Sequence, residues 1–446
     1  MRLKPSVTRL SLVFGALFSV APAFSADLLQ VYREALVNDA EYAAARAVAE
    51  AGREKLPQGL SGLLPTIGAS AEVMWNDNTY DATNQSKTID KDFRTDGYSV
   101  SLTQPLFRWQ NYVQYGQSKL LVVQSEANFA QASQDLILRV AQAYFDVLYA
   151  QENLKAVRAN KEAISQQLEQ AKKNFEVGTA TITDSQEAQS RYDLATAQEI
   201  AAESDLEVKR SALRVIVGKD AGELSRLKSQ AELKPPQPAA LDKWIDAAEA
   251  DSFAVQAQQA AAEVAAKEVE RMRAGHYPTL DAVASYGRSN SALSFVGNDS
   301  LDTTSRTVGL QLNIPIYQGG YVNSRTREAV ANRVASESAL EGTKRNAALN
   351  ARQSYLGVVN GLAQIRALEA ALVSSTSALE SNKLGYEVGV RINIDVLNAE
   401  NQVYVTKRDL AKARFDTLLA QLKLKASVGS LGEADLEQIN PLFEAP

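Results

Sequence analysis

The 446-residue chain is one plan written twice. The segment Phe175-Glu-Val-Gly-Thr-Ala-Thr-Ile-Thr-Asp184 recurs as Tyr386-Glu-Val-Gly-Val-Arg-Ile-Asn-Ile-Asp395. Leu64-Pro65-Thr66-Ile67 returns as Tyr277-Pro278-Thr279-Leu280, Gln104-Pro105-Leu106-Phe107 as Ile314-Pro315-Ile316-Tyr317, and Val217-Gly218 as Val428-Gly429. Four collinear matches at offsets of 210 to 213 residues define two copies of one structural unit. The copies span 27–234 and 242–430. A proline-rich linker at 235–241, containing Pro235, Pro236 and Pro238, joins them stiffly, and 431–446 remains as a C-terminal tail.

Proline placement divides each copy again. No proline occurs from Leu106 to Lys234 or from Ile316 to Asn440, so a helix need not break there. Apolar residues recur at helical steps, many of 3, 4 or 7 residues. The first copy has Leu136, Val140, Tyr144, Val147, Leu154, Val157, Ile164, Leu168 and Phe175. The second has Leu349, Leu356, Val359, Leu362, Ile365, Leu368, Leu372 and Leu379, and its returning helix carries Leu397, Tyr404, Ala411, Phe415, Leu418 and Leu422. A helix from Asn111 to Asn174 would be roughly 95 Å long, which suits a tube and not a compact domain.

Ahead of each helical run the period changes to two. Ile67, Ala69, Ala71, Val73 and Trp75 alternate with Thr66, Gly68, Ser70, Glu72 and Met74. Tyr98, Val100, Leu102 and Leu106 alternate with Ser99, Ser101 and Thr103. The second copy does the same with Leu280, Ala282, Ala284 and Tyr286, and with Val308, Leu310, Leu312, Ile314 and Ile316. Strands are expected at about 66–76, 97–107, 279–288 and 306–316. Each is about the length a tilted strand needs to cross a bilayer, with one apolar and one polar face. The intervening stretches, Asn76 to Thr95 and Arg288 to Ser305, are polar and are read as long exterior loops.

The N-terminus supports that location. Arg2, Lys4 and Arg9 precede an apolar run, Leu10 to Val20, and then the small residues around Ala21, Ala23 and Ala26. This is an export signal, assigned to 1–26. No later segment holds about 18 consecutive apolar residues, so membrane insertion must use strands. Four strands cannot close a barrel around water, and open edges are not tolerated in lipid. The strands must therefore be pooled between subunits; three chains would supply twelve, although closure alone also permits two or four chains.

Catalytic chemistry finds no support. With one His and no Cys there is no metal constellation and no disulfide. His276, beside Tyr277-Pro278, is read as a structural or solvated residue at a helix-to-strand junction. No Gly-x-x-x-x-Gly-Lys-Ser/Thr loop is present, and Gly319-Gly320 is read as a strand-to-helix joint. A net charge of −6 does not suggest a nucleic-acid partner, and no cofactor is called for.

Taken in order, these residues resemble the TolC family of outer-membrane efflux and secretion ducts. The likeness rests on Asp27-Leu28-Leu29-Gln30-Val31-Tyr32, the Leu64-Pro65 strand start, Gln104-Pro105-Leu106-Phe107 and both Val-Gly turns. It implies a mainly α fold with a small β part: a trimeric, 12-stranded outer-membrane barrel, four strands per chain, continued by a long periplasmic α-helical barrel. It also implies a passive exit duct serving tripartite efflux or type I secretion, with a periplasmic adaptor (membrane fusion) protein and an inner-membrane pump or ABC transporter as partners. The helix-turn tips are then Gly178 and Gly389, and the resemblance places a periplasmic gate at Thr183, Asp184, Tyr386 and Arg391. Arg391 is expected to fork onto Asp184, with Tyr386 donating to the same carboxylate. Asp184 and Asp395 also suit helix caps. Asp395 is expected to form an acidic ring at the pore constriction, with the neutral Asn398 one turn on weakening cation selectivity. At the matching turn positions the first copy has Ala180 and the second Arg391. The competing function is an exported coiled-coil structural or adhesion protein, which has no use for four lipid-length strands.

Overall fold

The computed structural model describes residues 26–81, 88–179, 181–228, 231–292 and 300–444. The expected signal segment lies outside the described residues apart from Ala26, and Ala180 lies outside them too. Helices α1 (Leu28–Asn38), α2 (Ala40–Arg53) and α3 (Lys55–Ser61) lead into strands β1 (Thr66–Asp81) and β2 (Thr88–Phe107). The long pair α4 (Trp109–Glu176) and α5 (Ile182–Val217) follows, then a short β3 (Arg226–Leu227). The second copy repeats the order with α6 (Leu241–Asp251), α7 (Phe253–Arg273), β4 (Thr279–Ala292), β5 (Ser300–Asn313), α8 (Tyr321–Glu387) and α9 (Asn393–Ser427). It ends in α10 (Glu433–Ile439) and β6 (Phe443–Glu444).

Local chemistry sets these boundaries. Asp27 and Asp39 cap α1 and α2 by accepting from Gln30 N and Tyr42 N at 2.7 and 2.6 Å. Gly320, at φ 79°, opens α8, and the exposed His276 Nε2 meets Asn323 Oδ1 at 3.1 Å across the helix-to-strand junction. The long helices α4 and α8, of 68 and 67 residues, each reach about 100 Å.

The four long strands form one antiparallel sheet in the order β1-β2-β4-β5. Its register places Ile67 beside Leu102, Leu102 beside Ala284 and Ala284 beside Val308, so the apolar residues share one face. That face is open: Val308 is 88% exposed and Leu310 70%. The opposite face carries Gly68, Ser101, Ser285 and Thr307 in register, with Ser70 and Ser99 hydroxyls 2.9 Å apart. Aromatic rings and guanidinium groups gather at one end of the apolar band. Arg94 lies over Trp75, Arg306 lies over Tyr286, and Tyr98 stands 6.4 Å from Tyr286. Such a girdle marks the level of a bilayer interface.

Three expectations change. The strands run further than alternation indicated: Asn76–Asp81 and Thr88–Thr95 are paired, as are Arg288–Ala292 and Ser300–Ser305. Backbone ladders continue without apolar side chains once the hairpin leaves lipid, so a polar stretch need not be a loop. The fourth strand instead stops at Asn313. Pro315 lacks an N–H, and Thr279, the first residue of β4, is already matched by Asn313. Ile316, placed in a strand by its period, is left 93% exposed. Finally, the expected stripe on α8 holds only in part, at Ile365, with Leu362, Leu368 and Leu372 half-buried beside it or its neighbours. The buried residues of α8 are Val322, Ala329, Ala347, Ala351, Val358 and Ile365, while Leu349, Leu356 and Val359 are exposed. Alanines let the hairpin partner approach closely, and Gly361 sits so near Thr417 that a Cβ would lie 2.2 Å from its hydroxyl.

The first helical stripe is seated as expected except at its last residue, Phe175, which is 43% exposed. Leu136, Val140, Val147, Leu154, Val157, Ile164 and Leu168 are all buried on α4. Facing them, α5 buries Ala188, Ala195, Ala202, Leu206 and Leu213, steps of 7, 7, 4 and 7 that form a coiled-coil seam. Midway along α4 the seam broadens into the main core. Tyr144 Oη donates to Ala26 O and Ser225 O at 3.2 and 3.0 Å, and burial pushes its phenol up. Phe145 stacks on Phe415 and Phe443. Residues 431–444 are thus no loose tail: Leu431, Leu436, Ile439 and Phe443 belong to this core, and β6 pairs with β3. Asp39 is clamped there by Arg139 at 3.0 and 3.1 Å. Burial raises its pKa, but the hydrogen-bonded guanidinium holds the carboxyl below its ordinary range. One window of α8 is apolar enough by composition to cross a bilayer, yet α8 packs on α6, α7 and α9.

Candidate functional site

The far ends of the two long hairpins carry the sequence-assigned site. Each turn closes on a glycine at positive φ, Gly178 at 78° and Gly389 at 75°, with no atom near enough to contact an added Cβ. Behind each glycine the helix ends alike. Gly178 N donates to Phe175 O at 3.0 Å and Thr179 N to Asn174 O at 2.8 Å. In the second copy Gly389 N donates to Tyr386 O at 3.1 Å and Val390 N to Gly385 O at 2.8 Å. These pairs satisfy carbonyls that a helix end would otherwise leave bare.

Beyond the glycines the copies diverge. Thr181 caps α5 in a reciprocal box: Asp184 N donates to Thr181 Oγ1 at 3.3 Å, and Thr181 N and Oγ1 donate to Asp184 Oδ2 at 3.0 and 2.8 Å. The second copy has Ile392 at the matching position, and α9 begins without a side-chain cap. Asp395, the counterpart of Asp184, is thereby released from capping and lies 3.7 Å from Arg391, one turn back. Arg391 folds over Gly385, whose missing side chain leaves room for its Cβ and Cγ.

Within one chain the expected fork from Arg391 to Asp184 does not form, and Tyr386 does not donate to that carboxylate. Asp184 is engaged three residues away, where capping orders little chain. Tyr386 Oη instead accepts from Asn174 Nδ2 at 3.2 Å, joining α8 to α4. Thr183 is exposed on the first turn of α5. A second link between the copies joins Arg191 Nη2 of α5 to Asn398 Oδ1 of α9 at 3.0 Å. The sequence reading missed Asn174 and Arg191. The signal for the first lay in the repeat itself: Tyr386 replaces Phe175, so the second copy gains a hydroxyl that needs a partner.

The two hairpins are stitched unequally. Between α4 and α5, Glu199 takes Lys161 at 2.8 Å and Arg158 at 3.0 Å, and Arg158 also reaches Glu203 at 2.6 Å. Hydrogen bonds from Lys161 and then Arg158 hold the Glu199 carboxyl below its usual range. The first hairpin is therefore braced across its helices. Its connection to the second hairpin near the tip is made by isolated polar contacts and by Leu397, buried between Ile164 and Ala195.

The family described as Outer membrane efflux protein matches the chain twice, over residues 31–219 and 244–430. The alkaline protease secretion protein AprF of Pseudomonas aeruginosa is 33% identical over 437 residues, covering 97% of this chain and 90% of its own. The outer membrane protein TolC of Vibrio cholerae is 32% identical over 435 residues, with 96% of each chain covered. Among solved structures, the Campylobacter jejuni CmeC outer membrane channel superposes with a TM-score of 0.80 at 16% identity, covering 98% of this chain and 97% of that one. The outer membrane protein VceC of Vibrio cholerae superposes at 0.77 and 18% identity, covering 90% and 96%. A lipid-faced sheet carried on two hundred-ångström-scale hairpins, each copy matched by the same family, leaves no enzyme to look for. The chain belongs to the outer membrane efflux protein family and is a channel protein of the outer membrane that extends into the periplasm.

Proposed function

We propose that three copies of this chain close into one passive exit duct for tripartite efflux or type I secretion, opened at its periplasmic tip by an adaptor and an inner-membrane pump or transporter. The observation that carries this is the open sheet. Among the described residues β1 and β5 each have one unpaired edge, and the apolar face is exposed, so the sheet is incomplete until other copies extend it. Three such sheets make a twelve-stranded barrel lined by glycine and hydroxyl residues. The names of the relatives, which include protease secretion proteins and TolC, support secretion and efflux alike.

The gate proposal keeps Thr183, Asp184, Tyr386 and Arg391 at the tip, with Asp395 as the acidic ring of the constriction. Since Asp184 is capped within its own chain and Arg391 is more than half exposed, the arginine is placed to reach a neighbouring subunit. A bifurcated carboxylate can accept from both. Trimers carrying Tyr386→Phe with Arg391→Ser should show larger single-channel conductance in planar bilayers. Unchanged conductance in correctly assembled trimers would remove these two residues from the gate.

A further inference from the structure

Where the sheet meets the helices, a cavity of about 620 Å³ opens between the end of β2, the start of α4 and the faces of α7 and α8. Aromatic rings of Phe107, Trp109 and Tyr277 wall it, over a floor of Ala266 and Val269. Phe107 reaches this side through a bulge. The β2–β4 register shifts between Pro105 and Phe107, so that Phe107, and not Leu106, stands opposite Leu280. Leu280 lies on the apolar face with Ala282 and Ala284, and paired residues share a face. The Phe107 ring therefore continues the lipid-facing surface into the cavity. β2 and β4 are the middle strands, so copies that extend the sheet at β1 and β5 join it away from this place.

Two guanidinium groups line the same cavity. Arg273 ends α7, is exposed, and its side chain has no hydrogen bond or ion pair among the described residues. Arg333 lies about 18 Å along α8 from its start, and helix side chains lean toward the N-terminus, here the sheet end. Its Nε is buried without a hydrogen-bond partner, 3.4 Å from Glu337. The neighbouring arginines are engaged: Arg108 with Asp281, Arg271 with Glu268 and Arg325 with Glu328. Glu270 also lines the cavity, so within the lining two guanidinium groups face one carboxylate.

We propose that this cavity holds the headgroup of an anionic phospholipid from the periplasmic leaflet, with its phosphodiester on Arg273 and Arg333 and its acyl chains on the sheet. A phosphodiester carries one negative charge, the excess that the lining leaves unbalanced, and guanidinium forks match its oxygens. Aromatic rings settle at headgroup level, where one end is apolar and the other wet. Ala282 and Ala284 leave a furrow on the apolar face between Leu102 and the exposed Val308 and Leu310, which an acyl chain can follow. A free phosphate would use only the guanidinium end. A lipid held here fixes the depth at which the helices leave the bilayer, and the site is independent of how the tip opens.

The test uses Trp109 as a reporter in the assembled full-length protein. Trp75→Phe removes the other tryptophan of the sheet region, and Trp244, buried beside the linker, gives a constant background. The protein is placed in phosphatidylcholine bilayers with a minor share of brominated phosphatidylglycerol, or the same share of brominated phosphatidylcholine. Bromine quenches only nearby indoles, so the difference reads the preference of the site. Brominated phosphatidylglycerol should quench Trp109 more strongly. Arg273→Gln should lower that preference roughly tenfold, the factor for one charge-assisted contact, and Arg273→Gln with Arg333→Gln should abolish it. Arg327→Gln, at an exposed arginine of α8 outside the cavity, should leave it unchanged. Since the Arg273 side chain has no partner within the described chain, its replacement should assemble normally, as semi-native gels will show. Equal quenching by the two lipids before any arginine is replaced, or a preference kept by both arginine variants, overturns the site. An equal loss in Arg327→Gln shows diffuse attraction and overturns it too. Relief of quenching by inorganic phosphate alone reassigns the cavity to a free anion and overturns the lipid.

Discussion

At the residue scale, single substitutions between the copies separate a capped turn from an uncapped one. Thr181 and Ile392 occupy matching places, and only the hydroxyl completes a capping box. Thr181→Ala should weaken the first turn of α5 by about 1 kcal/mol, whereas Ile392→Thr should gain a comparable amount by giving Asp395 a capping role. Hydrogen exchange of the amides at 183–186 and 394–397 reads both changes. No change in protection in the Thr181→Ala protein would show that the box contributes nothing to the turn. The glycines at 178 and 389 were legible from sequence because a helix reversal demands positive φ. The partners of Asp184 and Tyr386 were not, since a carboxylate three residues from a threonine and one across the tip look alike in a list of letters.

At the element scale, strand period carried the assignment of faces but not of lengths. Ile67, Val100, Ala284 and Val308 fall on the lipid side as their alternation indicated, and Ser101 and Thr307 on the other. The hairpin ends escaped notice because apolar alternation reports lipid and not hydrogen bonding. The two faces should respond differently to charge. Val308→Arg should destabilise the assembled barrel by about 2–4 kcal/mol if it sits near the bilayer midplane, while Ser101→Lys should assemble normally and shift ion selectivity. Heat-modified mobility in semi-native gels measures assembly. Equal loss of assembly in both variants would refute the assignment of faces.

At the scale of the whole molecule, helix seams show what one chain leaves unfinished. Alanines and leucines at coiled-coil spacing fill the α4–α5 seam, but α5 also exposes Leu194, Val208 and Val215 on its other side. On α8, Leu349 and Leu356 are exposed, a heptad apart. The sequence placed these leucines in a stripe of helical period, and in one chain they are left exposed. A period marks an apolar face without saying what covers it. The two stripes lie on hairpins of opposite copies and suit contact between neighbours. Val208→Glu and Leu356→Glu should each lower the temperature at which trimers dissociate, since each removes an apolar side chain worth about 1.5–3 kcal/mol when buried. Unaltered dissociation of both variants would show that these faces do not meet.

The sequence by itself determined the plan: two copies, proline-free helices, alternating strands and glycine turns. Each of these follows from forces acting over a few residues, so each is written locally and repeats with the repeat. Only the tertiary structure decided the contacts between copies. Gln167 meets Glu400 across 233 positions and Asn174 meets Tyr386 across 212. No local rule ties such residues together, and their distance is fixed only when four long helices have packed. The duplicated plan repeats the hairpins, and the places where the copies differ set the contacts between them.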